Sequence, residues 1–236
     1  MRPISLIVAC LLLAPSSLLA QAPADPSGHW VGAVLVPNME VAIEVDVAKD
    51  GDGLSGTFAS PNQNLRGLPL GGFAVAGRAI SFHVRGSVPG ERAFKGTLSD
   101  DGQTLSGDYS QGGYTIPFVL ARKGDPQIEA PARSAAVSKT LEGTWNGAIE
   151  ADGVQRRLVL TVVNRPDGTS TGHFLNLDEG LEIPISAITQ KGSSVVLEVK
   201  ALGGAYTGTL DATGAELAGT WTQGPAGLPL TLRRAR

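Results

Sequence analysis

Most of the chain alternates apolar and polar positions with a period of two. Val41, Ile43, Val45 and Val47, for example, alternate with Ala42, Glu44 and Asp46. Such alternation is typical of β-strands that bury one face. Turn residues interrupt the pattern roughly every ten positions, as in antiparallel all-β domains. No helical period is visible after residue 20, so we expect an all-β protein.

The pattern occurs twice along the chain. The segment GHWVG at 28–32 recurs as GTWNG at 143–147, and LSGDYSQG at 105–112 recurs as LAGTWTQG at 217–224. The order of the matching segments is the same in both copies, which indicates an internal repeat.

The repeat predicts the domain organisation. The first copy covers 28–122 and the second covers 143–236, separated by a linker at 123–142 that contains prolines, alanines and serines. Because each copy approaches the size of a domain, we expect two domains rather than one solenoid.

Each copy has the strand pattern of a small closed barrel. Predicted strands of the first copy lie near 28–36, 39–49, 53–60, 66–76, 79–86, 92–99, 104–111 and 114–122. Short strands with short turns favour an up-and-down barrel, because closure removes the exposed sheet edges. At the alternate positions predicted to point inward, large residues flank a glycine, as in Trp30-x-Gly32-x-Val34. Such alternation of large and small residues fills the tapering interior of a small barrel. The predicted fold is therefore two tandem eight-stranded antiparallel up-and-down β-barrels.

Residues 1–20 have the features of a secretory signal peptide. Arg2 precedes an apolar stretch that ends in small residues, and cleavage after Ala20 or after Ala22 would fit the sequence. We therefore expect an exported protein, periplasmic or secreted, with no membrane span. Cys10 follows a segment that resembles a lipoprotein cleavage box, but the apolar run continues beyond it, which disfavours lipidation.

Composition excludes some functions. Lys and Arg total 19 against 22 for Asp and Glu, a net charge of −3, so the chain lacks the basic footprint of nucleic-acid binding. Cys10 is the only cysteine, so the mature chain would contain no disulfide and no thiolate metal site. The apolar share of 42% is enough for a folded core.

No recognisable catalytic constellation occurs. The Gly-x-Ser-x-Gly string of an α/β-hydrolase nucleophile occurs at 168–172, but no helical pattern follows it, as a nucleophile turn between strand and helix requires. The G-x-G-x-x-G match at 51–56 lies between predicted strands, as a hairpin turn would. His29, His83 and His173 fall at non-equivalent places in the two copies and do not form a zinc pattern. We therefore expect a protein that is not an enzyme, with no catalytic residues, metal or cofactor.

Two tryptophans and two arginines resemble the lipocalin and avidin class of calycin-type barrels. Gly-x-Trp lies on the first strand of each copy, and an arginine lies on the last strand at a position predicted to point inward. In that class the tryptophan plugs the closed end and the arginine packs over it. The resemblance implies these roles for Trp30 with Arg122 and for Trp145 with Arg234.

The second copy resembles more closely a repeat that precedes the catalytic domain of secreted bacterial α/β-hydrolases. The resemblance is carried by ALGGAYTGTL at 201–210, GTWTQG at 219–224 and LPLTL at 228–232. The first copy is similar more loosely, and the loop at 175–180 departs from the pattern. No established catalytic role comes with this resemblance, which therefore implies fold and compartment more than activity.

The open ends of the barrels are the predicted ligand sites. If Trp30 and Trp145 mark the closed ends, the turns after strands one, three, five and seven gather at the opposite end. The candidate ligand-binding residues there are Tyr109, Gln111, Asn62, Gln63, Trp221 and Gln223. An aromatic wall beside an amide could stack and orient a small ligand. Alternatively, Tyr109 and Trp221 complete the cores and the glutamines cap turns.

Three functional hypotheses follow from these features. The first is an exported non-catalytic binding protein that holds a small apolar or amphipathic ligand at the barrel mouths. The second is an accessory module that interacts with an envelope protein or a secreted hydrolase. The third, less favoured, is a hydrolase of a novel type.

Overall fold

The computed structural model describes residues 24–86, 92–129, 133–151 and 153–235. The predicted signal peptide and Cys10 lie outside these residues. The described chain is almost entirely β-strand and turn, with two short 3-10 turns, and the predicted all-β fold of two barrels is confirmed. Within the described residues, no helix has the length and apolar character needed to cross a membrane.

Barrel 1 is closed and has up-and-down order. Its strands are β1 (Gly28–Val36), β2 (Met39–Asp50), β3 (Gly53–Ser60), β4 (Leu65–Ala76), β5 (Ala79–Val84), β6 (Ala93–Leu98), β7 (Thr104–Gln111) and β8 (Tyr114–Gly124). Each strand pairs antiparallel with the next, and β8 pairs with β1. The alternation of large inward residues predicted these strands well because one face of each is buried in the core.

Barrel 2 follows the same order but is only nearly closed. Its strands are β9 (Ser134–Ala135), β10 (Gly143–Ala151), β11 (Val154–Asn164), β12 (Thr169–Asn176), β13 (Leu181–Pro184), β14 (Ala187–Lys191), β15 (Ser194–Val199), β16 (Gly204–Leu210), β17 (Glu216–Gln223) and β18 (Ala226–Arg234). The pairing of β10 with both β11 and β18 joins its two halves. The ladder is interrupted between β13 and β14, so this copy departs from the predicted eight continuous strands.

Part of the predicted linker at 123–142 belongs to barrel 2. Strand β9 pairs with β12, and the Ser134 hydroxyl oxygen accepts a hydrogen bond from the Ile188 backbone NH at 2.7 Å. Val137 and Leu141 are buried in the core. Thus residues 134–142 cover the sheet near the interruption, and these contacts could not be read from the linker composition.

The closed ends of the two barrels have the same construction. The guanidinium of Arg122 lies over the Trp30 indole and that of Arg234 over the Trp145 indole, each 4.3 Å from the ring centroid. Both indoles are fully buried, and each NH donates to the backbone carbonyl four residues earlier. Each guanidinium also donates to backbone carbonyls near its own closed end. These contacts stabilise the end of each barrel opposite its mouth.

Candidate functional site

The open ends of the two barrels face each other. The Glu182 backbone NH donates to the Arg85 carbonyl at 2.9 Å, and the Arg92 guanidinium donates to the Glu179 carbonyl at 2.7 Å. The side chains of Arg85 and Glu182 also form an ion pair at 3.4 Å. Arg85 and Arg92 lie in the β5–β6 connection of barrel 1, Glu179 lies in the β12–β13 connection of barrel 2, and Glu182 lies at the start of β13. Both connections are at open ends. Barrel 1 therefore covers part of the mouth of barrel 2.

A cavity of about 490 Å³ lies where the two mouths meet. Side chains of barrel 2 form most of its apolar wall, including Leu158, Phe174, Trp221 and Leu228. Barrel 1 contributes Leu65 and several polar groups. The volume is within the range of about 300–1,000 Å³ that is usual for small-molecule sites.

The cavity contains predicted residues from both copies. Its lining includes Gln63, Gln111, Trp221 and Gln223. Tyr109 does not line it: this residue is buried below the rim, where its hydroxyl donates to Gln111 Oε1 at 2.7 Å. Asn62 is exposed in the 3-10 turn Pro61–Gln63 and is also outside the lining.

Aromatic rings fill the interior of barrel 1. Phe94 is central to this cluster: its ring centroid lies 4.6 Å from Tyr109, 4.9 Å from Phe82 and 5.2 Å from Phe118. Tyr109 therefore packs as part of the barrel 1 core, with only its hydroxyl directed to the rim. The space available to a ligand lies on the barrel 2 side of the facing mouths.

Trp221 and Phe174 form the aromatic part of the barrel 2 wall. Their rings meet edge to face at 6.2 Å, and Trp221 is only 9% exposed. The indole packs over Gly204, where an added Cβ would lie 2.7 Å from the ring. Gln223 is held at the rim because its side-chain amide donates to the Leu202 carbonyl at 2.9 Å. This wall is therefore positioned by packing before any ligand binds.

Three charged residues at the cavity had no predicted role. The Glu179 carboxylate lies between two guanidiniums, 3.5 Å from Arg92 Nη2 and 3.4 Å from Arg156 Nε. All three residues line the cavity. They are far apart in the sequence, and the matching positions of the other copy hold different residue types. No repeat or spacing signal could therefore identify them.

The histidines and carboxylates form no comparable site within the described residues. No group of three or more His, Cys, Asp or Glu side chains there could hold a metal ion. The closest His–carboxylate contact joins His29 Nδ1 to Asp46 Oδ1 at 2.9 Å, and Asp46 also accepts a hydrogen bond from the Gln127 backbone NH. The hydrogen bond between Gln127 and Asp46 ties the segment after β8 to strand β2 of barrel 1.

Comparisons with known proteins assign no function. No protein-family model matches the sequence, and no curated protein matches it. A protein of unknown function of the DUF3598 family from Nostoc punctiforme is 12% identical, with a TM-score of 0.25, over 89% of this chain and 96% of that chain. A Bacteroides fragilis protein described as a candidate outer membrane protein is 11% identical, with a TM-score of 0.28, over 89% and 95% respectively. Similarities at this level carry no argument about activity, ligand or location.

Proposed function

We propose that the protein is an exported, non-catalytic binding protein that holds a small amphipathic ligand between the two barrel mouths. The observation that carries the proposal is the cavity of about 490 Å³. Apolar side chains form the larger part of its wall, and several polar groups converge at its rim, a combination found in small-molecule sites. The signal-peptide features of residues 1–20 and the resemblance to lipocalin-type barrels support export and ligand binding.

The two barrels have different roles in this proposal. Phe174, Trp221 and Leu228 of barrel 2 contact the apolar part of the ligand. Gln63 and Gln111 of barrel 1 lie across the cavity and can donate or accept hydrogen bonds at the polar part. A ligand that touches both sides stabilises the facing arrangement of the mouths, because it binds that arrangement preferentially.

A neutral fluorescent probe tests this proposal directly. N-phenylnaphthylamine, titrated into purified protein, should gain fluorescence on entering the apolar cavity. Trp221→Ala should weaken its binding about tenfold, because the variant removes a large part of the wall.

Val163→Ala provides the control for this titration. Val163 is an exposed apolar residue on β11 that does not line the cavity, so its substitution should leave the probe affinity unchanged. Thermal unfolding of both variants verifies that they fold. An unchanged probe affinity in Trp221→Ala would contradict the assignment of the site to this cavity. A wild-type protein that binds no probe would contradict the proposed function.

A second candidate function is an accessory module for a secreted α/β-hydrolase. Leu35, Met39, Tyr114 and Val119 are large exposed apolar residues on the adjoining strands β1, β2 and β8. Exposed apolar residues on adjoining strands can contribute to a protein interaction site, and the resemblance to a hydrolase-associated repeat suggests the partner. Affinity capture from the native envelope should recover such a hydrolase with the wild-type protein and lose it with Tyr114→Asp. Failure to recover a hydrolase would count against this candidate.

A further inference from the structure

The cavity is more positive than the protein as a whole. Its lining contains Arg92, Arg156 and Glu179, hence two positive charges and one negative charge, whereas the whole chain carries −3. Two further arginines near this cluster are paired with carboxylates: Arg157 with Asp178 at 2.6 Å and Arg85 with Glu182 at 3.4 Å. Among the described residues that line the cavity, positive charges therefore exceed negative charges by one.

The two cavity arginines retain hydrogen-bonding capacity. Arg156 Nε lies 3.4 Å from the Glu179 carboxylate, and Arg156 Nη1 donates to the Ala151 carbonyl at 3.4 Å. Both distances are at the long end for hydrogen bonds, and a guanidinium offers five N–H donors. The side chains are 16% exposed for Arg92 and 33% exposed for Arg156, so each is partly withdrawn from water. A guanidinium in such a place binds a carboxylate or phosphate more strongly than a neutral group.

The apolar wall requires the rest of the ligand to be hydrocarbon. Leu158, Phe174, Ile183 and Leu228 line the same cavity as the charged cluster. An inorganic anion would contact the arginines and leave this wall bare, whereas an uncharged hydrocarbon would cover the wall and leave the excess positive charge unpaired. A molecule with both parts satisfies both surfaces.

We infer that the ligand is an anionic single-chain amphiphile with a carboxylate or phosphate head. The head binds the guanidiniums of Arg92 and Arg156, and the chain packs on the apolar wall of barrel 2. Because Arg92 belongs to barrel 1 and Arg156 to barrel 2, the head joins the two barrels. This inference rests on the proposed function and names the ligand class for the same cavity.

Matched ligands test the head group. Isothermal titration calorimetry compares decanoate with decanol, which has the same chain and no charge. We expect decanoate to bind about ten- to a hundredfold more tightly, as charge-assisted hydrogen bonds allow. Decyl phosphate should share this advantage if the site accepts either anion, and decyltrimethylammonium should bind more weakly than decanol.

Two neighbouring arginines provide the variant and its control. Arg156→Gln should remove most of the preference for decanoate over decanol while leaving decanol binding nearly unchanged. Arg157 is the next residue on the same strand, is paired with Asp178 and does not line the cavity. Arg157→Gln should therefore keep the wild-type preference. Circular dichroism and thermal unfolding of both variants check the fold.

Chain length tests the apolar half of the inference. In the series octanoate, decanoate and dodecanoate, each added methylene that the cavity buries should tighten binding about fourfold. The gain should cease once the chain fills the cavity. An affinity independent of chain length would overturn the placement of the chain on the wall.

The outcomes separate this inference from the function on which it rests. Equal affinities for decanoate and decanol would overturn the anionic head and leave the binding function in place. A decanoate preference that survives Arg156→Gln would overturn the assigned site of the head. If neither decanoate, decanol nor N-phenylnaphthylamine binds, the proposed function fails together with the inference.

Discussion

At the scale of single residues, the Tyr206 hydroxyl distinguishes the two barrel interiors. Phe94 occupies the matching position of the first copy. The Tyr206 side chain is fully buried, and its single hydroxyl proton is shared between the carbonyl oxygens of Leu217 at 2.9 Å and Leu230 at 3.2 Å. Burial raises the pKa of Tyr206 well above its usual range, because the charged form would lose its hydration.

Tyr206→Phe should change both the stability of barrel 2 and its dependence on pH. At neutral pH the variant should lose about 1–2 kcal/mol of unfolding free energy, because the buried hydrogen bond from this hydroxyl is lost. In the wild-type protein the folded state holds the Tyr206 proton above about pH 10, where the unfolded chain releases it, so stability falls as pH rises. The variant should lack this part of the fall.

Urea unfolding at pH 7 and at several values above pH 10 measures both effects of Tyr206→Phe. Tyr114→Phe is the control, because Tyr114 is 74% exposed in barrel 1. The control should retain the alkaline fall. Identical alkaline slopes for wild type and Tyr206→Phe would contradict the assignment to this hydroxyl.

At the scale of elements, the fourth strand shows how a glycine keeps a ladder continuous. Strand β4 makes a bulge between Gly71 and Ala74 in its pairing with β5, with Gly72 at a φ of 63°. This left-handed conformation is disfavoured for residues with a Cβ. The second copy has Ser186 and Ala187 where the first has Gly71 and Gly72. There the strand is divided into β13 and β14 instead.

Gly72→Ala should destabilise barrel 1 more than Gly77→Ala. Both glycines have φ near 60°, so both substitutions cost about 1 kcal/mol or more from the backbone alone. Only at Gly72 would the new methyl group lie 2.4 Å from the His83 ring, whereas no atom lies within 4 Å at Gly77. Thermal unfolding should therefore show a larger loss for Gly72→Ala. Equal losses would mean that the His83 ring moves aside freely.

At the scale of the whole molecule, the facing arrangement of the mouths creates the candidate site. Gly86 of barrel 1 lies against the backbone of Gly180 of barrel 2, so closely that an added Cβ would be 1.9 Å from the Gly180 carbonyl oxygen. The Arg85–Glu182 and Arg92–Glu179 contacts surround this point. Neither barrel alone supplies all sides of the cavity.

Gly86→Ala should separate the mouths and weaken ligand binding without unfolding either barrel. The clash is with the backbone of the other barrel, so the barrels themselves have to move apart. We expect about a tenfold loss of N-phenylnaphthylamine affinity, equivalent to about 1.4 kcal/mol. Gly53→Ala is the control, because the atom nearest to a Cβ added at Gly53 is 3.6 Å away, which is an ordinary contact distance. Undiminished affinity in Gly86→Ala would show that the facing arrangement is not needed for binding.

The sequence alone determined the features that depend on local patterning. Alternating apolar positions and turn glycines located the strands of barrel 1, because burial of one face is repeated at every second residue. The internal repeat then predicted a second barrel. The up-and-down order also placed Gln63, Gln111, Trp221 and Gln223 at barrel mouths. It left open whether Tyr109 binds a ligand or completes the core, and it did not indicate that Asn62 lies outside the cavity.

Only the tertiary structure decided how the two barrels meet and what their meeting creates. The approach of Arg92 to Glu179 and Arg156 depends on contacts between distant parts of the chain, for which neither alternation nor recurrence leaves a signal. The same is true of the interruption in barrel 2 and of the residues at 134–142 that pack beside it. Strand patterns encode which face of a strand is buried, whereas the facing of two mouths depends on the complementarity of whole surfaces.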